Sequence, residues 1–123
     1  MSRTILVVDH SPTVVKFVSF SLRHRGYNVV GASDGMDAIE KISCLSEDVD
    51  LVVTDLNMPN CDGYTLIETL RQNDRYRATP MIILTSEDGD GDREKGLAVG
   101  ADSYLVKPFR SDRLLDEVAR LLQ

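Results

Sequence analysis

The sequence predicts a doubly wound α/β fold: a parallel five-stranded sheet with helices on both faces. Two observations carry this. Short apolar runs recur at similar intervals, and several are continuously apolar and β-branched, the pattern of strands buried on both faces. The stretches between them have helical spacing and helix-start residues, so each strand is followed by a helix that crosses back over the sheet.

The strands are expected at Thr4 to Val8, Asn28 to Ala32, Asp50 to Thr54, Met81 to Thr85 and Ser103 to Val106. The first helix starts at Ser11-Pro12, where Ser can cap and Pro can take the first helical position, and Gly26 closes it. Asp37 to Leu45 and Tyr64 to Arg71 supply the next two helices. In the fourth, Gly89, Gly91 and Gly96 each cost about 1 kcal/mol relative to Ala wherever they lie inside the helix. It should be short and loosely held at its start. Ser111 starts the last helix, with Leu114, Leu115, Val118, Leu121 and Leu122 on one face.

At 123 residues with 42% apolar side chains, the chain suits one domain, expected to span 1–123. Net charge -6, from 20 acidic and 14 basic side chains, argues against direct nucleic-acid binding. There is no signal-peptide pattern and no apolar run near the roughly 18 residues of a membrane span, so a cytoplasmic location without membrane insertion is expected. Cys44 and Cys61 form neither a C-x-x-C nor a zinc pattern. Cys44 is expected in or near the core; Cys61 is expected in a loop beside the site, where redox sensing is conceivable.

Ligands of such a sheet sit outside the carboxyl ends of its strands. Four of the runs end there in residues that suit phosphoryl chemistry: Asp9, Asp55, Thr85 and Lys107. Any one of them alone is ordinary, because strand ends are wet. Together, two carboxylates make a cation site, a hydroxyl can donate, and a lysine can reach a phosphoryl oxygen, which describes a metal-assisted phosphoryl acceptor.

The segments V-V-D at 7 to 9, D-L-N-M-P-N-C-D-G at 55 to 63, L-T-S-E at 84 to 87 and G-A-D-S-Y-L-V-K-P-F at 100 to 109 resemble the receiver domains of two-component response regulators, especially stand-alone chemotaxis-type (CheY-like) ones. The resemblance runs end to end. It implies a flavodoxin-like (βα)5 fold with strand order 2-1-3-4-5. It also implies that Asp55 is the phosphoacceptor, that Thr85 and Lys107 contact the phosphoryl group, and that Thr85 and Tyr104 form the switch. Asp9, Asp55 and the Asn57 main-chain carbonyl would hold Mg2+, with the Asn57 side chain and Glu87 flanking the site. Gly63 would relieve crowding at the start of the third helix, and Lys107-Pro108 would be a cis bond. As structure alone, Tyr104 reads as an ordinary core residue of the fifth strand.

The function implied is that of a phosphorylated signalling switch, with no turnover activity beyond self-dephosphorylation. Its partners would be a sensor histidine kinase and a downstream protein. With no effector domain expected after the receiver, the latter would be contacted through the surface of the fourth helix, fifth strand and last helix, where Arg110, Arg113 and Glu117 are candidates. The protein is expected to be a monomer or weak dimer.

One departure stands out. Receivers carry two adjacent acids after the first strand, and this chain has Asp9-His10. Imidazole suits Zn2+, Mn2+ and other transition metals better than Mg2+. Either Asp9 binds Mg2+ directly but weakly, or His10 ligates a softer ion, or metal binding weakens; the first is favoured here. The D-G-D-G-D stretch at 88 to 92 fails as a calcium loop, since its sixth place is Arg93 and its twelfth Val99.

Three other functions compete. A flavodoxin needs small residues where D-H-S-P-T stands, and a haloacid-type phosphatase needs D-x-D where Asp55-Leu56-Asn57 stands. The serious alternative is a pseudo-receiver, a binding module not controlled by phosphorylation because His10 replaces an acidic ligand.

Overall fold

The computed structural model describes residues 3–56, 58, 62–85 and 90–123, and over 90–93 the backbone alone. Five strands alternate with five helices: β1 Thr4–Val8, α1 Pro12–His24, β2 Asn28–Ala32, α2 Gly35–Ser43, β3 Leu51–Asp55, α3 Gly63–Arg71, β4 Met81–Thr85, α4 Asp90–Val99, β5 Ser103–Val106 and α5 Ser111–Leu121. The sheet is parallel in the order β2-β1-β3-β4-β5, the doubly wound topology expected.

Neighbouring residues of the central strands face opposite layers, because side chains alternate across a strand. Leu6, Val8, Val52, Met81 and Ile83 bury into one core with Ala38 and Ile42 of α2 and Leu66, Ile67 and Leu70 of α3. Ile5, Val7, Leu51, Val53, Ile82 and Leu84 bury into the other with Val18 and Leu22 of α1 and Leu114, Leu115 and Val118 of α5. Each of the Val, Leu, Ile and Met side chains, fully buried, contributes about 2 kcal/mol. The two cores clamp the central strands and hold their carboxyl ends in fixed register.

Some boundaries differ from the sequence expectation, each for a local reason. β3 begins one residue later, because Asp50 turns its carboxylate onto the Thr4 N–H at 2.8 Å. It ends one residue later, because Asp55 still pairs with Leu84. α2 starts two residues before Asp37, since Asp34 is the cap and accepts from the Asp37 N–H at 2.8 Å. That helix also ends earlier, at Ser43, so Cys44 lies past its apolar stripe and is exposed, not in the core as expected. α3 is capped by Asp62, which accepts from the Thr65 N–H. Ser11 does cap α1, accepting from the Val14 N–H at 3.4 Å, and the chain leaves that helix through Gly26 at φ 92°. This left-handed conformation favours glycine.

Candidate phosphoryl-acceptor site

The register builds the site. β1 pairs with β3 so that Val8 lies opposite Thr54, which brings the next residues, Asp9 and Asp55, side by side. β4 pairs with β5 so that Thr85 lies opposite Val106, and Lys107 follows directly. All four residues therefore meet at one edge.

Asp9 is buried, with both oxygens engaged: Oδ1 accepts from the Ser11 N–H at 2.9 Å and Oδ2 from Lys107 Nζ at 2.7 Å. Asp55 is buried too. Its Oδ1 accepts from the Leu56 N–H at 2.8 Å and lies 3.6 Å from Lys107 Nζ, while its Oδ2 meets His10 Nδ1 at 2.6 Å. Burying two carboxylates side by side is costly unless cations lie close. Lys107 supplies one charge to both acids, and the His10 ring, about half exposed, covers the remaining oxygen of Asp55.

The backbone under Asp55 is held as firmly. Thr54 Oγ1 donates to the Asp55 carbonyl at 2.9 Å, and the Gly63 N–H donates to the Leu56 carbonyl at 3.0 Å. A Cβ on Gly63 would run into that same Asp55 carbonyl, so α3 can start this close only on glycine. Thr85 is buried, and its carbonyl accepts the Lys107 N–H at 2.6 Å. The Lys107–Pro108 bond is cis. Tyr104 is half-buried and packs against the core that α2 and α3 cover.

Of the residues singled out from sequence, Asp9, His10, Asp55 and Lys107 thus meet directly, and Thr85 joins them through the backbone of Lys107. Asn57, Cys61 and Glu87 lie outside the described residues. Arg110 and Arg113 are exposed. Glu117 is not a free outer charge, because it accepts from Ser103 Oγ at 2.9 Å and Arg120 at 2.6 Å. The sequence reading missed the Ser11 and Leu56 amides that orient the two acids; Ser11 stood out only for its cap, and no residue-type signal marks a backbone donor.

Asp9, His10 and Asp55 each offer a ligand atom, all within 4.8 Å of one another. Two buried carboxylates fit a hard divalent ion, and the imidazole adds a nitrogen donor. A parallel sheet in this order, with an acid pair and a lysine at its carboxyl edge, defines a receiver. The chain belongs to the response regulator receiver domain family, which it matches over residues 5–119, and is a CheY-like receiver of two-component signalling.

It is 36% identical to Protein PilG of Pseudomonas aeruginosa over 114 residues, covering 93% of this chain and 83% of that one. It is also 36% identical to the alkaline phosphatase synthesis transcriptional regulatory protein PhoP of Bacillus subtilis, with all of this chain covered but only 50% of PhoP. Among solved structures it resembles the chemotaxis response regulator CheY4 of Vibrio cholerae, with TM-score 0.91 and 34% identity over 99% of this chain and 100% of that one. It also resembles the receiver domain of sensor histidine kinase PA1611 of Pseudomonas aeruginosa, which has a magnesium ion coordinated in its active-site cleft, with TM-score 0.88, 30% identity, and 99% and 98% coverage. Receiver domains bind Mg2+ in this acidic cluster. Among the described residues no helix is long and apolar enough to cross a membrane.

Proposed function

We propose that Asp55 accepts a phosphoryl group from a sensor histidine kinase and that the modified domain regulates a downstream protein. The observation that carries this is the single lysine shared by two buried acids: Lys107 sits 2.7 Å from Asp9 Oδ2 and 3.6 Å from Asp55 Oδ1. In the transfer an Asp55 oxygen forms the new P–O bond as the P–N bond to the kinase histidine breaks, and the leaving imidazole takes a proton. Lys107 offsets charge on the transferring group, and the Thr85 hydroxyl would hydrogen-bond it. The Ser11 and Leu56 amides keep both acids aimed. A divalent ion held by Asp9 and Asp55, when bound, neutralises further charge.

Asp55 Oδ2 is reached only when the His10 ring swings away, and its half-exposed position allows that. Turnover chemistry beyond self-dephosphorylation is not part of this reading. The domain acts in the cytoplasm, as a monomer or weak dimer, without nucleic-acid contact. Its output face is the α4-β5-α5 surface.

The test is incubation with a small-molecule phosphodonor and Mg2+, with phosphorylation located by mass. Wild type should gain a phosphoryl group on Asp55, and Asp55→Asn should gain none while keeping its fold. One observation favours a second reading: the 2.6 Å contact of His10 on Asp55 suits a pseudo-receiver whose acceptor stays covered. A folded wild-type protein that takes no phosphoryl group with any divalent ion would establish that reading instead.

A further inference from the structure

We propose that His10 makes the ion site of this receiver selective for first-row transition cations such as Mn2+, Co2+ and Zn2+ over Mg2+, with His10 Nδ1 binding the ion beside the carboxylates of Asp9 and Asp55. The inference rests on the reading that these acids hold the ion, and it names which ion they hold.

Most donor atoms of the two acids are already engaged. Both oxygens of Asp9 are engaged, one by the Ser11 amide and one by Lys107. Asp55 Oδ1 is engaged by the Leu56 amide. Among the described residues, Asp55 Oδ2 and His10 Nδ1 meet each other at 2.6 Å, and His10 Nδ1 lies 3.8 Å from Asp9 Oδ1. That short contact is a hydrogen bond, so an ion entering the pocket takes the place of its proton and is met by this nitrogen and oxygen together. Asp9 shares its Oδ2 with Lys107, so its carboxylate gives an ion less than an unshared one would, and the His10 nitrogen weighs more in the choice of ion.

Ligand type then decides the ion. Mg2+ demands oxygen ligands in near-ideal octahedral geometry, and a neutral imidazole gives it little. Transition ions gain substantially from imidazole, more in the order Mn2+ to Co2+ with Zn2+ also favoured. The site keeps two carboxylates, so it remains a cation site, but the choice among cations moves. The His10 ring is about half exposed and attached to a loop residue, which lets it adjust to an ion where the buried acids cannot.

Any carboxylate site binds Co2+ more tightly than Mg2+, so absolute affinity proves nothing and the test reads a ratio and a ligand signature. Affinities for Mg2+, Mn2+ and Zn2+ are measured by titration calorimetry on wild type, His10→Asp and His10→Ala, without any phosphodonor. The transition-ion to Mg2+ ratio should fall on the order of tenfold in both variants, with Mg2+ affinity rising in His10→Asp. In parallel, 15N-histidine NMR of wild type with Zn2+ should shift the His10 Nδ1 resonance and leave His24, the other histidine, unmoved. An unchanged ratio in the variants, or ion binding without a His10 nitrogen shift, overturns the proposal, as does a wild type that binds none of these ions. Because no phosphoryl transfer is measured, such a failure leaves the acceptor role of Asp55 standing, and that role is judged separately by Asp55→Asn.

Discussion

Lys107 Nζ and Asp9 Oδ2 are 2.7 Å apart although 98 positions separate them in the chain. β5 lies at one edge of the sheet and β1 beyond β3 and β4, so the lysine reaches over the ends of two strands to pair with the first. It is the cation that makes burial of Asp9 and Asp55 tolerable. Lys107→Met should therefore lower stability by about 3 kcal/mol in chemical denaturation, the usual consequence of removing one partner of a buried pair. A saturating divalent cation should recover part of that loss, since it replaces the missing charge. An unchanged denaturation midpoint in the variant would show that the acids do not depend on the lysine.

Two glycines test how closely the helices approach the sheet. A Cβ on Gly63 meets backbone, the Asp55 carbonyl, which cannot move without displacing the acceptor itself. A Cβ on Gly96 meets chiefly the Cδ1 of Ile83, the end of a flexible side chain. Gly63→Ala should cost about 2–3 kcal/mol. Gly96→Ala should stay within about 1 kcal/mol of wild type, as helix propensity offsets the repacking. Thermal denaturation of both variants checks the contrast, and equal costs would refute it.

These positions show what could be read from sequence and what could not. The strands were legible because they are unbroken apolar runs, and the strand ends exposed Asp9, Asp55, Thr85 and Lys107 as a set. The β3 boundary slipped by one because Asp50 and Asp55 are both polar and only pairing tells the strand residue from the turn residue. α2 slipped because its cap is Asp34, three residues before the Asp37 at which the sequence places the helix start, and Gly35 at its start carries no helix signal. His10 was legible as a departure, but its contact with Asp55 was not, since that depends on ring orientation.

Arg71 had no sequence signature at all. It donates to the carbonyls of Tyr76, Arg77, Thr79 and Gly100 and pairs with Asp102 at 2.9 Å, tying the end of α3 to the turns before β4 and β5. Only a planar fork can serve so many acceptors at once. Arg71→Lys, despite keeping the charge, should lower stability by about 2–3 kcal/mol. A urea titration in which the lysine variant matches wild type would mean that charge alone suffices.

The acid limb of stability should depend on two surface carboxylates. The Ser33 amide, and then Lys41, hold the Asp37 carboxyl below the usual carboxylate range; Arg120, and then Ser103, do the same for Glu117. A carboxyl lowered in the folded state adds stability above its unfolded value, and this is lost as pH falls through the folded value. The combined variant Asp37→Asn, Glu117→Gln should be less stable than wild type near neutrality and lose less on going from pH 5 to pH 3. Parallel stability curves over that interval would show that neither group is linked to folding.

The last prediction concerns how a phosphoryl group on Asp55 would be felt at the output face. The Thr85 carbonyl accepts the Lys107 N–H at 2.6 Å, and Ile83 of β4 lies opposite Tyr104 of β5, so the ends of these strands are tied together. Tyr104 is half-buried at the margin of the core, where a ring can be repacked at modest cost. If Thr85 shifts to hydrogen-bond the new group, the end of β5 is drawn with it and Tyr104 turns inward. A beryllofluoride adduct at Asp55 should therefore move amide resonances over residues 103–107 as well as those around Asp9 and Asp55. In Thr85→Ala the changes around Asp55 should persist while those over 103–106 shrink, because the adduct still binds but no longer pulls on β5. Shifts confined to the pocket in wild type, or undiminished along β5 in Thr85→Ala, would remove Thr85 from the path.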